Sequence, residues 1–476
     1  MGIKENSSEA LLARLQNGDS FTVKQKLMLA FKLALPAMLA QISTIIMEYI
    51  DASMVGHLGA NATASIGLVA TTTWLFGGIT MAATMGFTIQ TAQKIGAKDD
   101  RGARSIMKQG LAATLLYTLI LTLIATLISR FLPGWLSSDT ELHRDAFSYF
   151  LILMLSLPAH QMKSIAGGML QASGDMKTPS ILNVLACFLD VVFNALLIFP
   201  SGTFGIDGVF SLPGAGLGVP GAALGTAITE VIIAGTMLLM LLFRSKPLHL
   251  RKNEPLIFNR NELKMALKLA IPVGVEQVLM CGAYIMSTVI VAPLGSIAIA
   301  SHSLSITAES LCYMPGYGIA AAASTMIGQS IGAKRPDLAR SLAWMNTGLG
   351  VAFMTCTGVL MYIFAPQMIG LLSPVPEIQE LGTAVLRIEA FAEPLYAASI
   401  VANGAFRGAG DTFVPSIMNF GSMWLVRLPL SWYLSAPMGM NMGLRGVWIA
   451  MCIELCARGT VFLIRLSGKR WMKKIA

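Results

Sequence analysis

Charge is what this 476-residue chain has least of. Asp, Glu, Lys and Arg make up 12% of it, against about 25% in a soluble domain, while 55% is hydrophobic and the mean hydropathy is +0.67. That shortage excludes a set of water-solvated domains. Cysteine is sparse as well. Cys187, Cys281, Cys312, Cys356, Cys452 and Cys456 all fall inside apolar runs, and none has metal-ligand spacing, so neither a disulfide framework nor a zinc site is expected. A Gly-rich phosphate loop is missing, which leaves an ATP-driven pump unsupported. No His/Glu zinc pattern or nucleophile elbow points to an embedded enzyme. A secretory signal is missing too. Residues 1–26 are polar and mixed in charge, and the first apolar run begins near Leu27 without a small-residue cleavage site, so it is expected to remain as a span.

Long apolar runs are what the chain does have. Roughly 20 apolar residues cross a bilayer as a helix, and the sequence predicts twelve such spans: 27–55, 62–92, 109–131, 146–171, 179–200, 219–243, 264–291, 297–328, 342–370, 382–406, 414–436 and 445–466. Pro36, Pro158, Pro272, Pro315 and Pro394 lie within them and are expected to kink them, the freed carbonyls being met by neighbouring helices. The net charge of +9 reads as topology rather than nucleic-acid binding. Lys94 to Lys108, the stretch from Arg244 to Lys268, Lys334 to Arg340, and Arg465 to Lys474 all fall on one side of a twelve-span chain, together with Lys4, Arg14, Lys24, Lys26 and Lys32. Only Arg130, Arg144 and Arg445 fall on the other. The positive-inside rule then places both termini in the cytoplasm, with a surface suited to phospholipid headgroups.

The chain also repeats itself. KLALPAMLAQ at 32–41 returns as KLAIPVGVEQ at 268–277, IGAKDDRGARS at 95–105 as IGAKRPDLARS at 331–341, and SGDMKTPS at 173–180 as AGDTFVPS at 409–416. The offset is 236 residues, falling to 225 after the Gly-rich loop 200–218 and pairing Gly221 with Gly446. Six spans per half is an even number, so the halves are expected to share one orientation about an axis along the membrane normal. Parallel repeats of this kind are a transporter architecture with the substrate site between the halves. The expected organisation is a cytoplasmic segment 1–26, a six-helix bundle 27–243, a cytoplasmic linker 244–263, a second six-helix bundle 264–466 and a tail 467–476.

These repeated elements resemble the multidrug and toxin extrusion (MATE) family. The loops IGAK…ARS, the elements LQASGDMKTPS at 170–180 and FRGAGDTFVPS at 406–416, and EYIDASMVGHLGA in the first span carry the resemblance, which covers the chain beyond residue 27. It implies an all-α membrane protein with two six-helix bundles in a V. It also implies antiport of H⁺ or Na⁺ against small organic, often cationic, drug-like compounds across a bacterial or archaeal inner membrane. No cofactor beyond the coupling ion is implied, a monomer is expected, and nucleic acid is not a partner. Two alternatives share features of the sequence: a flippase for lipid-linked precursors, and a major-facilitator-type transporter, whose loop after the second span GAKDDRGAR partly mimics, although Ala103 stands where its second glycine would be.

The acids inside the spans are the candidates for chemistry. A carboxylate at mid-bilayer costs at least about 2.5–3.5 kcal/mol on insertion scales, and taking up a proton or a cation relieves that cost. Asp51 lies late in span one, with Ser287 at its repeat position, and Glu48 lies one turn before it. Asp190 and Asn194 stack on one face of span five, opposite Val426 and Leu430 in the repeat. Acids present in one half only suggest a task rather than a shared structural role. The resemblance adds Thr226 as a cation ligand. The family that this chain resembles usually has an Asn followed four residues later by Asp or Asn. Here the order is reversed, which keeps the oxygen count, moves the carboxylate by one turn and leaves the choice between H⁺ and Na⁺ open, with Asp51, Asp190, Asn194 and Thr226 as the expected ligands if Na⁺ binds. In the second half, Glu276, Glu389, Glu393 and Arg427 are candidates for a substrate cavity or an alternative coupling site. Arg387 beside Glu389 and Glu393, and Arg458 four residues from Glu454, read as internal ion pairs. Arg427 is expected either to meet an acid from another helix or to face an anionic group. Thirty methionines, among them Met38, Met47, Met54, Met280 and Met286, suit a cavity that repacks around varied ligands.

Overall fold

The computed structural model describes residues 8–472, except 138, 201–204, 207–209, 212–213, 252–253 and 256. Of the basic residues used for the topology, Lys4, Lys252, Lys473 and Lys474 lie outside that set, as does part of the loop 200–218. A short helix α1 (Ser8–Asn17) precedes the spans. The first half then runs α2 (Val23–Gly56), α3 (Ala60–Gly96), α4 (Asp100–Ser129), α5 (Leu132–Leu136), α6 (His143–Ala172) and α7 (Lys177–Ile198), followed by a two-residue hairpin, β1 (Gly205–Ile206) against β2 (Phe210–Ser211), and α8 (Val219–Leu239). The second half runs α9 (Arg260–Val291), α10 (Ser296–Gly332), α11 (Pro336–Leu372), α12 (Pro376–Glu389), α13 (Glu393–Gly408), α14 (Phe413–Gly421), α15 (Leu428–Ser435) and α16 (Gly443–Ser467).

Each of the twelve expected spans is occupied by helix, which is how a chain satisfies its backbone where water is absent. Eight helices among the described residues are long and apolar enough on their own. The others are α6 and α10, which carry more polar residues, and two that are interrupted. Residues 382–406, expected as one helix, break at Ala390–Ala392. Pro394 lies in the first turn of α13, where its missing N–H costs nothing, and it cannot continue the preceding helix. The eleventh span passes through a π-helical segment, Ser422–Arg427, between α14 and α15. Pro36, Pro158, Pro272 and Pro315 stay inside continuous helices. On α4, Leu116, Ile120, Leu123 and Leu127 form a lipid-ready stripe, each more than half exposed.

The repeat is visible in the backbone itself. Left-handed conformations recur at Lys98 and Lys334, at Gly59 and Gly295, and at Gly174 and Gly410, all 236 residues apart. Beyond the loop 200–218 they recur at Gly218 and Gly443, 225 apart. The same turn chemistry thus ends the same helices in both halves.

Two compact units make up the chain. One comprises 1–42, 92–99 and 271–476, and the other 43–91 with 100–270. Within the first, Ala308, Cys312, Met361, Ala365, Leu386 and Trp448 form part of a buried apolar core. Also within it, the ends of α3 and α10 cross at very short range: a Cβ on Gly96 would lie 2.1 Å from the Gln329 carbonyl oxygen, and one on Gly332 would lie 1.9 Å from that of Gln93. Those four residues are two pairs of repeat mates. In the second unit, Val55, Ala62, Ile198, Val219 and Ala222 pack together, and a separate cluster holds Phe150, Met154 and Leu157. The linker is tied to this unit. Arg104 donates from Nε and Nη2 to Glu254 at 2.8 and 2.7 Å, and the bidentate contact holds the Glu254 carboxyl down at about 2. A carboxyl depressed in the folded state stabilises above its ordinary value, so this tie is present at neutral pH and is lost only as the pH falls towards 2.

Gly332→Ala forces backbone apart at the crossing and is expected to cost about 1–3 kcal/mol, lowering the melting temperature in detergent by about 2–5 °C. Gly348→Ala, where a Cβ meets nothing within 4 Å, is the control and should leave the melting temperature unchanged or slightly raised.

Candidate functional site

The site begins with how closely α7 and α8 approach. Gly221 and Gly225 form a small-x-x-x-small face, and a Cβ on Gly221 would lie 2.5 Å from the Leu197 carbonyl oxygen. A Cβ on Gly225 would lie 2.1 Å from Asn194 Oδ1, so only glycine leaves room for the Asn194 side chain. Held there, Asn194 donates from one amide nitrogen to Asp51 Oδ1 at 2.9 Å and to Asp190 Oδ2 at 3.0 Å. Two carboxyls that share one donor cannot lie farther apart than the sum of those two distances. Thr226 of α8 stands against Asp190. Three helices, α2, α7 and α8, therefore bring Asp51, Asp190, Asn194 and Thr226 together within one compact unit.

Burial grades across this cluster. Asp190 and Asn194 are 1% and 2% exposed, Asp51 is half-buried, and Glu48, one turn earlier on α2, is exposed. Asp190 Oδ1 and Asn194 Oδ1 are buried oxygens with no hydrogen-bond partner among the described residues. No Lys, Arg or His side chain among them lies within ion-pair distance of Asp51 or Asp190. The cluster thus offers carboxylate, amide and hydroxyl oxygens, two of them unused, graded from exposed at Glu48 to buried at Asp190. Hard cations take several such oxygens, and a proton needs one carboxylate of a close pair.

One turn along α8, Glu230 is treated differently. Lys163 Nζ on α6 donates to Glu230 Oε1 at 2.5 Å, and His160 Nδ1 lies 3.4 Å from the same oxygen. Sequence reasoning singled out neither Glu230 nor its partners. The signal was a single lysine in the middle of an apolar span, a position that calls for an acid on a neighbouring helix.

The second-half candidates separate into saturated and bare. Glu276 accepts from Arg407 Nη2 at 3.0 and 3.1 Å, from Ser416 Oγ at 2.6 Å and from Asn419 Nδ2 at 2.7 Å. Arg427 meets an acid from another helix: its Nη2 lies 2.7 Å from Glu454 Oε2, which belongs to α16, where Ser422 and Arg458 also reach Glu454. The expected pairing of Arg387 with Glu389 and Glu393 does not form. Arg387 lies over the Tyr362 ring and donates to the Tyr362 carbonyl, because residues two apart point to different faces and the break at Ala390–Ala392 intervenes before Glu393. Glu389 and Glu393 are 0% and 1% exposed, and none of their carboxyl oxygens has a hydrogen-bond partner among the described residues.

The sequence profile of the MatE family matches this chain twice, over residues 36–196 and again over 272–433. The chain belongs to the MatE family. The two matches begin 236 residues apart, one per repeat. The chain is 27% identical over 445 residues to a probable multidrug resistance protein NorM of Thermotoga maritima, covering 93% of this chain and 92% of that protein. It is 23% identical over 451 residues to the multidrug resistance protein PmpM of Pseudomonas aeruginosa, with 93% and 92% covered. Among solved structures it resembles a MOP superfamily transporter from Pyrococcus furiosus (TM-score 0.86, 19% identity, 96% of this chain and 98% of that one). It also resembles the Vibrio cholerae MATE transporter VcmN (TM-score 0.83, 17% identity, 98% of both). Membership of the MatE family makes this chain an integral membrane transporter, not an enzyme, and its fold is the twelve-span fold of the MATE structures.

Breaking the Lys163–Glu230 pair from one side strands a carboxylate away from water. Lys163→Met is expected to destabilise the protein by about 2–3 kcal/mol, the partial exposure of both groups screening the rest. Lys163→Met combined with Glu230→Gln should recover most of that loss, measured as melting temperature in detergent.

Proposed function

We propose that this chain is a multidrug efflux antiporter of the cytoplasmic membrane, with both termini and the 244–263 linker in the cytoplasm, and that it exchanges H⁺ or Na⁺ for small organic, often cationic compounds. Its relatives' names supply the substrate class, and the loop charges supply the orientation. We assign the coupling ion to Asp51, Asp190, Asn194 and Thr226, with Glu48 at the exposed edge. The observation that carries this is one amide nitrogen bridging two carboxyls that have no basic partner among the described residues.

The competing second-half acids fit less well. An ion that is exchanged every cycle has to enter and leave. Glu276 already has its charge balanced by Arg407, while Glu389 and Glu393 are buried, at 0% and 1% exposure. Loading the N-terminal cluster changes the charge between α2, α7 and α8, so the loaded and empty protein prefer different arrangements of these helices. A drug that favours the arrangement the ion disfavours will be exchanged for it. The chain is proposed to act as a monomer with no other cofactor.

Dye efflux from inverted vesicles, under Na⁺ and H⁺ gradients imposed separately, tests the assignment. Wild type should respond to at least one gradient. Asp51→Asn should insert normally and lose gradient-driven efflux by at least about tenfold, since a carboxamide neither takes up a proton nor balances a cation. Wild-type rates in that variant would remove Asp51 from the mechanism.

A further inference from the structure

Helix α1 is not accounted for by transport as described so far. The segment 1–26 reads as polar, yet Leu11, Leu12 and Leu15 make one apolar face, and their exposures are 0%, 5% and 0%. Ten residues are too few to hold a helix in water without help, so this one owes its existence to what it docks on. It packs on α10, with Gln16 Nε2 3.4 Å from Gln329 Oε1.

Its C-terminal end is bolted down from two directions. Arg335, just past α10, donates to the Leu15 carbonyl at 3.1 Å and to the Asp19 carbonyl at 2.7 Å, supplying partners for groups that a helix end leaves unpaired. Lys98, just past α3, donates to Asn17 Oδ1 at 2.7 Å. Lys98 and Lys334 are the left-handed repeat mates that end α3 and α10, so both anchors come from the two loops flanking the Gly96–Gly332 crossing. α3 belongs to the first repeat and α10 to the second. α1 belongs to neither and is tied to both.

We propose that α1 is a latch on this crossing: while it is docked, the cytoplasmic end of the transport path stays shut, and it has to lift before α3 and α10 can part. In an alternating-access cycle the two repeats separate at one end at a time. Parting α3 from α10 would pull the Lys98 and Arg335 anchors in different directions, so the docked helix adds its own binding free energy to the closed state. The proposal rests on the transport reading and on the orientation given above.

The test reads the crossing itself rather than transport. Ala92 is 3% exposed and faces Gly328 across the crossing. In an Ala92→Cys background, the rate of modification at position 92 by a small thiol reagent is followed by peptide mass spectrometry, with the native cysteines as internal controls. Undocking the apolar face with Leu11→Asp/Leu15→Asp should raise that rate about tenfold, and Arg335→Gln should raise it less. A cleavable thiol linker between Gln16→Cys and Gln329→Cys should slow it below the parent and stop dye efflux until the linker is cut. Unchanged rates in both undocking variants, in protein whose melting temperature shows it folded, would overturn the latch. If the rates rise as expected but the parent moves no dye under either gradient, the transport reading falls and the latch stands.

Discussion

A carboxylate shielded from water needs a cation, a full set of donors or a proton, and the acids inside this chain sort by which of these each one has. Glu230 has Lys163, Glu454 has two arginines and a serine, and Glu276 has Arg407 with a hydroxyl and an amide. Those charges are balanced by the protein itself and can stay where they are through a transport cycle. Asp51 and Asp190 share one amide donor, Asp190 has the Thr226 hydroxyl beside it, and neither has a basic partner among the described residues. Their balance has to come from outside, and that is what an ion-coupled step requires. The architecture around them serves this imbalance: the glycines of α8 bring it against α7, and Asn194 fills the space that only glycine leaves.

The bare pair Glu389 and Glu393 shows why imbalance alone is an insufficient criterion. Both have fewer hydrogen-bond partners than Asp190, but they are buried at 0% and 1% exposure. Charge that cannot reach water is costly to create during a cycle, so these groups fit a permanently neutral, packed role. Burial separates the two acidic pairs: Asp51 is half-buried and Glu48 beside it exposed, while Glu389 and Glu393 are buried.

Much of this was legible in the sequence because it rests on periodicity and on repetition. The twelve spans follow from apolar length, and the repeat from motifs whose left-handed turns recur 236 residues apart. The cluster was legible from asymmetry: Asp51, Asp190 and Asn194 face Ser287, Val426 and Leu430 in the repeat, and side chains four apart on α7 had to share a face. What was not legible depends on contacts between distant residues or on weak local signals. Lys163 finds Glu230 on another helix, and Arg427 finds Glu454 in the same way. Arg387 looked paired because it is close in sequence to two acids, but helix geometry turns it away from one and a break separates it from the other. Helix α1 was hidden because three leucines in a charged segment mean little until α10 is there to receive them.

The central claim is that ion and drug are linked through Asp190 and its neighbours. Equilibrium binding of a fluorescent cationic dye to the purified protein, measured across pH at fixed Na⁺ and across Na⁺ at fixed pH, addresses it most directly. By linkage, the wild-type dye affinity should change several-fold with at least one of the two, and in Asp190→Asn it should be flat with both. An Asp190→Asn protein that keeps the wild-type dependence on the coupling ion would place the linkage elsewhere and contradict the account.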